Sequence, residues 1–457
     1  KRYMQVAALP LHPTATYVGK GFPKFGQPRE IAHFSRDASR RVRFDKSGLG
    51  AYRTPRLPAA LDVGFESYVP KSHDPNEPAP LGDVVAALSH KGVRTTDAHI
   101  LTYRNNLNKI FGTVYNRKDD WEVGVERCAD GTVLLHVMDT ERKRAEEARR
   151  DERQQRMSYW GYKFEQLSTL DGGEDDGGPL PPVNANEEFC SIVQLSIDRT
   201  KLFMAAEIDC AATGGGGAPA AGYVELKTSK RHASPRDEES FQRHKLFKYW
   251  LQSFLAGVPT VLVGFRDERG TVHELKSFET STMHRLVRGA GREPYWEPAA
   301  CINFGKGVLE WLLASLAANP AAAHYVMRYE PRQSAILLLQ RDGGGGGGGV
   351  RRHLLLFAPD GRLCGAAREA VPPHLQPPHG RPPQKVPRQE DAPVCRRRRG
   401  RRRRDGGGQR RLAHRGLLPR CRPRGAPDAG RDRADPLEGG GGSRADVPRG
   451  AGMRAAG

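Results

Sequence analysis

The chain has 457 residues and a formal net charge of +20, but that surplus is unevenly placed. From Arg341 onward there are 27 Lys and Arg against 11 Asp and Glu, which leaves residues 1–340 nearly balanced at +4. Bulk charge therefore argues no nucleic-acid binding by the main body, and any such binding must come from a local patch. No apolar run reaches the roughly 18 residues of a membrane span, and the seven Cys are scattered without a CxxC or a zinc-ligand spacing. Both features predict a soluble, intracellular protein with free thiols. The chain opens on Lys1 rather than Met, and the expectation is that residues precede it in the natural protein.

Residues 1–60 are rich in Pro, Arg and isolated aromatics and predict an extended segment that wraps a core built elsewhere. A loop, VPKSHDPNEPAP, then leads to a short helix at LGDVVAALSHKG with a Gly stop. From Ala98 the pattern turns to strands, HILTYRNNLNKIFGTVYN and then WEVGVERCADGTVLLHVMD, the latter a hairpin about Asp130-Gly131. DTERKRAEEARRDERQQR is a charged helix or linker, and the aromatic-rich SYWGYKFEQLSTL a buried helix. After an acidic Gly/Pro loop come strand FCSIVQLSID, two acid-bearing strands and a long helix, SFQRHKLFKYWLQSFLAG. A strand pair at VPTVLVGFRDERGTVHELKSF, a helix at INFGKGVLEWLLASLAAN and a hairpin at YVMRYEPRQSAILLLQ complete a mixed α/β body with a largely antiparallel sheet.

Chemistry concentrates between Lys201 and Lys230. Glu207 and Asp209 flank Ile208, and Glu225 and Lys227 flank Leu226. Strand side chains alternate faces, so each polar pair shares a face with its apolar neighbour behind it. If the two strands pair as a hairpin, three carboxylates and one ammonium converge. Such carboxylates repel unless a cation sits among them, and oxygen donors without clustered His or Cys favour Mg²⁺ or Mn²⁺ over zinc. Three further residues stand out. Glu165 ends GYKFE, Arg104 interrupts an apolar strand, and Gln252 lies on an apolar helix face. Each alone has an ordinary structural explanation: an exposed helical Glu, an edge Arg, a core amide bonded to backbone.

Together these residues resemble the DXO family of RNA 5′-end decapping nucleases over about Thr16 to Gln340. The family's strand Arg matches Arg104, its GYKFE box Gly161–Glu165, its acid-apolar-Asp-Cys box Glu207–Cys210, its ELKT box Glu225–Thr228 and its helix Gln Gln252. The resemblance implies a PD-(D/E)XK nuclease-like core with largely antiparallel sheets flanked by helices. Glu165, Glu207, Asp209, Glu225 and the Leu226 carbonyl would hold two divalent ions, Mg²⁺ or Mn²⁺. Glu207, Asp209, Glu225 and Lys227 would be catalytic, Lys227 and Gln252 would position the scissile phosphate and water, and Arg104 would bind RNA phosphates.

The implied activity is metal-dependent hydrolysis at RNA 5′ ends: triphosphate, incomplete-cap or NAD-cap removal, with 5′→3′ exoribonuclease activity in some members. The implied setting is nuclear, with a 5′→3′ exoribonuclease as partner. The alternatives are a non-catalytic stabiliser of that exoribonuclease and a DNA exonuclease of the wider class. Residues 1–342 are expected to form one nuclease domain. Residues 343–457, with a seven-Gly run and RRRRGRRRR, have a composition that cannot bury a core and predict a disordered basic tail or a mistranslated one.

Overall fold

A computed structural model describes residues 3–72, 81–169, 180–214, 221–287, 294–320 and 322–341. The expected tail lies outside these residues, as does much of the acidic loop. The fold is mixed α/β with most strand pairs antiparallel, as expected, but it is built on two sheets rather than one.

The first sheet has ten strands. One half runs β1 (Tyr3–Pro10), β16 (Ala335–Arg341), β15 (His324–Glu330), β7 (Trp121–Arg127), β8 (Val133–Met138). The other half continues β6 (Ile100–Tyr103), β10 (Thr200–Glu207), β9 (Glu188–Ile197), β2 (Phe25–Arg36), β3 (Val42–Arg43). Only β6 is parallel to its neighbours, β8 and β10. The second sheet is ordered β4 (Gly50–Ala51), β11 (Cys210–Ala212), β12 (Gly222–Lys230), β13 (Thr260–Arg266), β14 (Thr271–Glu279), β5 (Ala59–Ala60). The N-terminal segment thus does more than wrap: it supplies strands to both sheets, and β2 is twelve residues long.

The helices are α1 (Ala15–Val18), α2 (Gly82–His90), α3 (Arg104–Gly112), α4 (Glu141–Ala148), α5 (Glu152–Leu167), α6 (Pro235–Ser240), α7 (Phe247–Ala256) and α8 (Pro298–Ala318). A capping box of Asp151 and Gln154 starts α5, and Gly257 at φ 71° ends α7. The hairpin of β7 and β8 turns at Gly131, φ 90°, as the Asp-Gly pair predicts.

Two expectations fail. Residues 104–112 are helix, not strand: Leu107, Ile110 and Phe111 are fully buried at helical spacing, and the strand ends at Tyr103. The two acid-bearing strands also do not form one hairpin. β10 belongs to the first sheet; the chain crosses at Ile208–Asp209, and of the strands on either side of the crossing it is β11, not β10, that pairs with β12. Ile208 anchors the crossing, 3% exposed, with its N–H donating to the Phe189 carbonyl at 3.0 Å.

β12 and β13 are parallel, which requires a crossover, here α6 to α7. Every residue of β13 is buried, as a central parallel strand demands. Trp160 and Phe164 of α5 pack with Leu226 and Leu262 on one face. Leu251 of α7 and Phe111 of α3 pack with Val261 and Val263 on the other. Alternation puts Glu225 and Lys227 on this second face, toward α3 and α7.

Candidate active site

Glu225 is the centre of the site, 1% exposed at the middle of β12. Its Oε1 accepts hydrogen bonds from Lys227 Nζ and Gln252 Nε2, and its Oε2 accepts one from Arg104 Nη1 at 3.1 Å. Strand alternation brings Lys227 to it, α7 brings Gln252, and the first turn of α3 brings Arg104. A lone buried carboxylate would be neutral. Burial does push Glu225 upward, but Lys227 and Arg104 outweigh it and hold the carboxyl below its ordinary value. The same attraction keeps Lys227 protonated, raised despite its burial.

Asp209 sits just past the sheet crossing. Its Oδ2 accepts from the Leu226 backbone N–H at 2.6 Å and lies 3.6 Å from Lys227 Nζ. Burial and the Glu225 charge push it up to about 7. Glu165, half-buried in the last turns of α5, is pushed well above the carboxylate range by burial and by Asp209. The Leu226 carbonyl accepts from Lys227 Nζ at 3.1 Å. Glu207 stands apart at the end of β10, its side chain 45% exposed and paired with Lys71 at 3.3 Å.

Six of the sequence-selected residues are therefore joined in one network of contacts: Arg104, Asp209, Glu225, Leu226, Lys227 and Gln252. Glu165 joins them through its field, and Glu207 borders them. Among the described residues no three His, Cys, Asp or Glu side chains are arranged to hold a metal ion. Glu225 is engaged by three donors and Glu207 by Lys71.

Sequence reasoning missed the ion network beside Glu207. Lys71 also bonds Glu188 Oε2, Glu188 Oε1 accepts from Arg36 Nη1, and Arg36 Nε donates to Asp83 Oδ2 at 3.1 Å. Lys71 lies in VPKSHDP, which carries no local signal beyond a loop, and its partner Glu207 is 136 residues away.

The sequence profile described as "RAI1 like PD-(D/E)XK nuclease" matches residues 26–353. The chain belongs to this family. Among RAI1-like relatives, the decapping nuclease RAI1 of Neurospora crassa is 34% identical over 330 residues, 67% of this chain and 77% of the relative. The human decapping and exoribonuclease protein is 33% identical over 337 residues, 71% and 83% of the two chains. The structure of S. pombe Rai1 in complex with 3′-FADP superposes with TM-score 0.57 at 28% identity, covering 74% of this chain and 99% of that one.

Proposed function

We propose that this chain is a divalent-metal-dependent hydrolase of RNA 5′ ends, removing triphosphate, incomplete caps or NAD caps. The observation that carries it is the buried Glu225 carboxylate bound at once by Arg104, Lys227 and Gln252, with Asp209 beside it, in a RAI1-like nuclease fold. The residues fit a hard ion by their donor chemistry: Glu165, Glu207, Asp209, Glu225 and the Leu226 carbonyl are all oxygen donors. Lys227 Nζ already meets three of them, the behaviour of a positive charge in a site built for one. Mg²⁺ or Mn²⁺, as two ions, would supply Lewis-acid stabilisation and lower the pKa of a bound water.

The protein's own groups do the rest. Lys227 and Arg104 place positive charge where negative charge grows on the phosphoryl oxygens of an in-line displacement. The Gln252 amide orients the water or the phosphate, and the Leu226 N–H keeps Asp209 aimed inward. A buried site makes each of these contacts stronger than it is in water.

The remaining parts of this reading rest on family membership: 5′→3′ exoribonuclease activity, association with a nuclear 5′→3′ exoribonuclease, nuclear location, and a single catalytic domain at residues 1–342. No helix among the described residues is long and apolar enough to cross a membrane.

The test offers the full chain 5′-labelled RNAs bearing triphosphate, unmethylated cap, methylated cap, NAD or monophosphate, with Mg²⁺ or Mn²⁺ and with EDTA. The expected result is metal-dependent release of the 5′ group, and laddering of the monophosphate RNA if exonuclease activity accompanies it. Inactivity on every end by a well-folded protein would move the assignment to the stabilising partner. Equal hydrolysis of matched DNA would move it to the DNA exonuclease.

A further inference from the structure

The helix that carries Gln252 turns more polar side chains toward β12 than hydrolysis uses. Lys245, Tyr249 and Gln252 stand at i, i+4 and i+7, one helix face. Gln252 Nε2 donates to Glu225, Tyr249 Oη donates to the Thr228 carbonyl at 3.3 Å, and Lys245 Nζ donates to Ser229 Oγ at 3.1 Å. Glu225, Lys227 and Ser229 share one strand face. A helix stripe and a strand stripe thus run side by side, from the buried Glu225 out to Lys245, which reaches solvent.

Two independent features mark the outer end. Lys245 belongs to a π-helical segment, Phe241–Leu246, between α6 and α7. Such segments are rare and recur at functional sites. Lys245 is also without a carboxylate partner among the described residues. Its hydrogen bond is to a hydroxyl, and burial and the like charge of Arg266 lower its pKa. Arg266 has partners of its own: its Nη1 donates to the Asp267 carbonyl at 3.1 Å, and the Glu268 and Asp267 carboxylates act on its charge. Its guanidinium lies over Trp160 at 4.4 Å, with Nε buried and without a hydrogen-bond partner. Arg104, Lys227 and Lys71, unlike Lys245, each meet a carboxylate.

We propose that Lys245 holds a backbone phosphate of the RNA body as it leaves the catalytic strand. This rests on the reading of the site as an RNA 5′-end hydrolase. A 5′ end is housed where the nucleic acid stops, whereas the body must run on to solvent, and Lys245 stands at the solvent end. A lysine suits this task because its ammonium is a rotatable point charge that tolerates a sliding phosphate. Seven residues of helix cover about 10 Å at 1.5 Å each. That is about three stacked nucleotides at 3.4 Å per step. A dinucleotide is therefore too short to reach Lys245.

The test measures KM and kcat of the full chain on 5′-triphosphate RNAs of about two and about ten nucleotides, between about 50 and 200 mM salt. The proteins are wild type, Lys245→Gln and Lys245→Arg. Wild type should prefer the longer RNA. Lys245→Gln should raise KM for that RNA about tenfold, the worth of one charged hydrogen bond, with kcat held. It should also reduce the salt slope by about 0.7, one phosphate contact on a single strand. Lys245→Arg should restore both. The inference is overturned if wild type shows no length preference, if Lys245→Gln keeps wild-type KM and slope, or if its KM rises equally for both RNAs. Wild-type inactivity on both RNAs would instead overturn the functional reading, and this inference with it.

Discussion

Glu225 shows how the site spends its burial. A carboxylate 1% exposed stays ionised because Lys227 and Arg104 are held against it and cannot relax away. Arg104 is the more exposed to test, since its fork geometry and fixed charge are not reproduced by lysine. Arg104→Lys should reduce kcat/KM by about tenfold or more, the scale of one charged hydrogen bond, with Gln252→Ala smaller. Steady-state kinetics on triphosphate RNA measures both. The double change Glu207→Ala with Asp209→Ala should abolish hydrolysis while the circular dichroism spectrum stays native. Retained turnover there would remove both residues from the mechanism.

At the scale of elements, α5 matters because it must bring Glu165 close to a strand it touches through aromatic rings. Gly264 on β13 permits this: a Cβ there would lie 2.8 Å from Phe164 Cε2. Gly264→Ala should therefore push Phe164 and the adjoining Glu165 outward. The expected cost is about 1–3 kcal/mol in a denaturant melt, together with a fall in kcat. The turn between β13 and β14 offers a pH test. Asp267 is drawn down to about 2, first by His273 and then by the Thr271 and Arg269 N–H groups its Oδ1 accepts from. A carboxylate depressed in the folded state stabilises fully above its unfolded value, 3.8, and loses that contribution as pH falls toward 2. The Tm gap between wild type and Asp267→Asn should accordingly be widest near neutral pH and close as the pH drops through that window.

For the whole molecule, the described strands end at Arg341, where β16 is paired with β1 on one side and β15 on the other. Among the described residues neither sheet has a strand beyond it. A chain ending at Asp342 should fold, melt at the wild-type temperature and retain hydrolysis. Loss of solubility or activity on truncation would show that residues 343–457 are part of the working protein.

What the sequence by itself determined was whatever local geometry dictates. A two-residue period places Glu225 and Lys227 together with Leu226 behind them, Asp130-Gly131 closes its hairpin, and the GYKFE aromatics bury their helix. The same local logic misread Arg104, because a strand and the helix that follows it at once share one apolar run. Only the tertiary structure decided that Arg104 would meet Glu225 across 121 residues. It alone decided that Glu207 would be parted from the β11–β12 hairpin by a change of sheet, and that Lys71 would pair with it. These contacts depend on how two sheets and three helices close around one strand, and no pattern of a few residues' span records that closure.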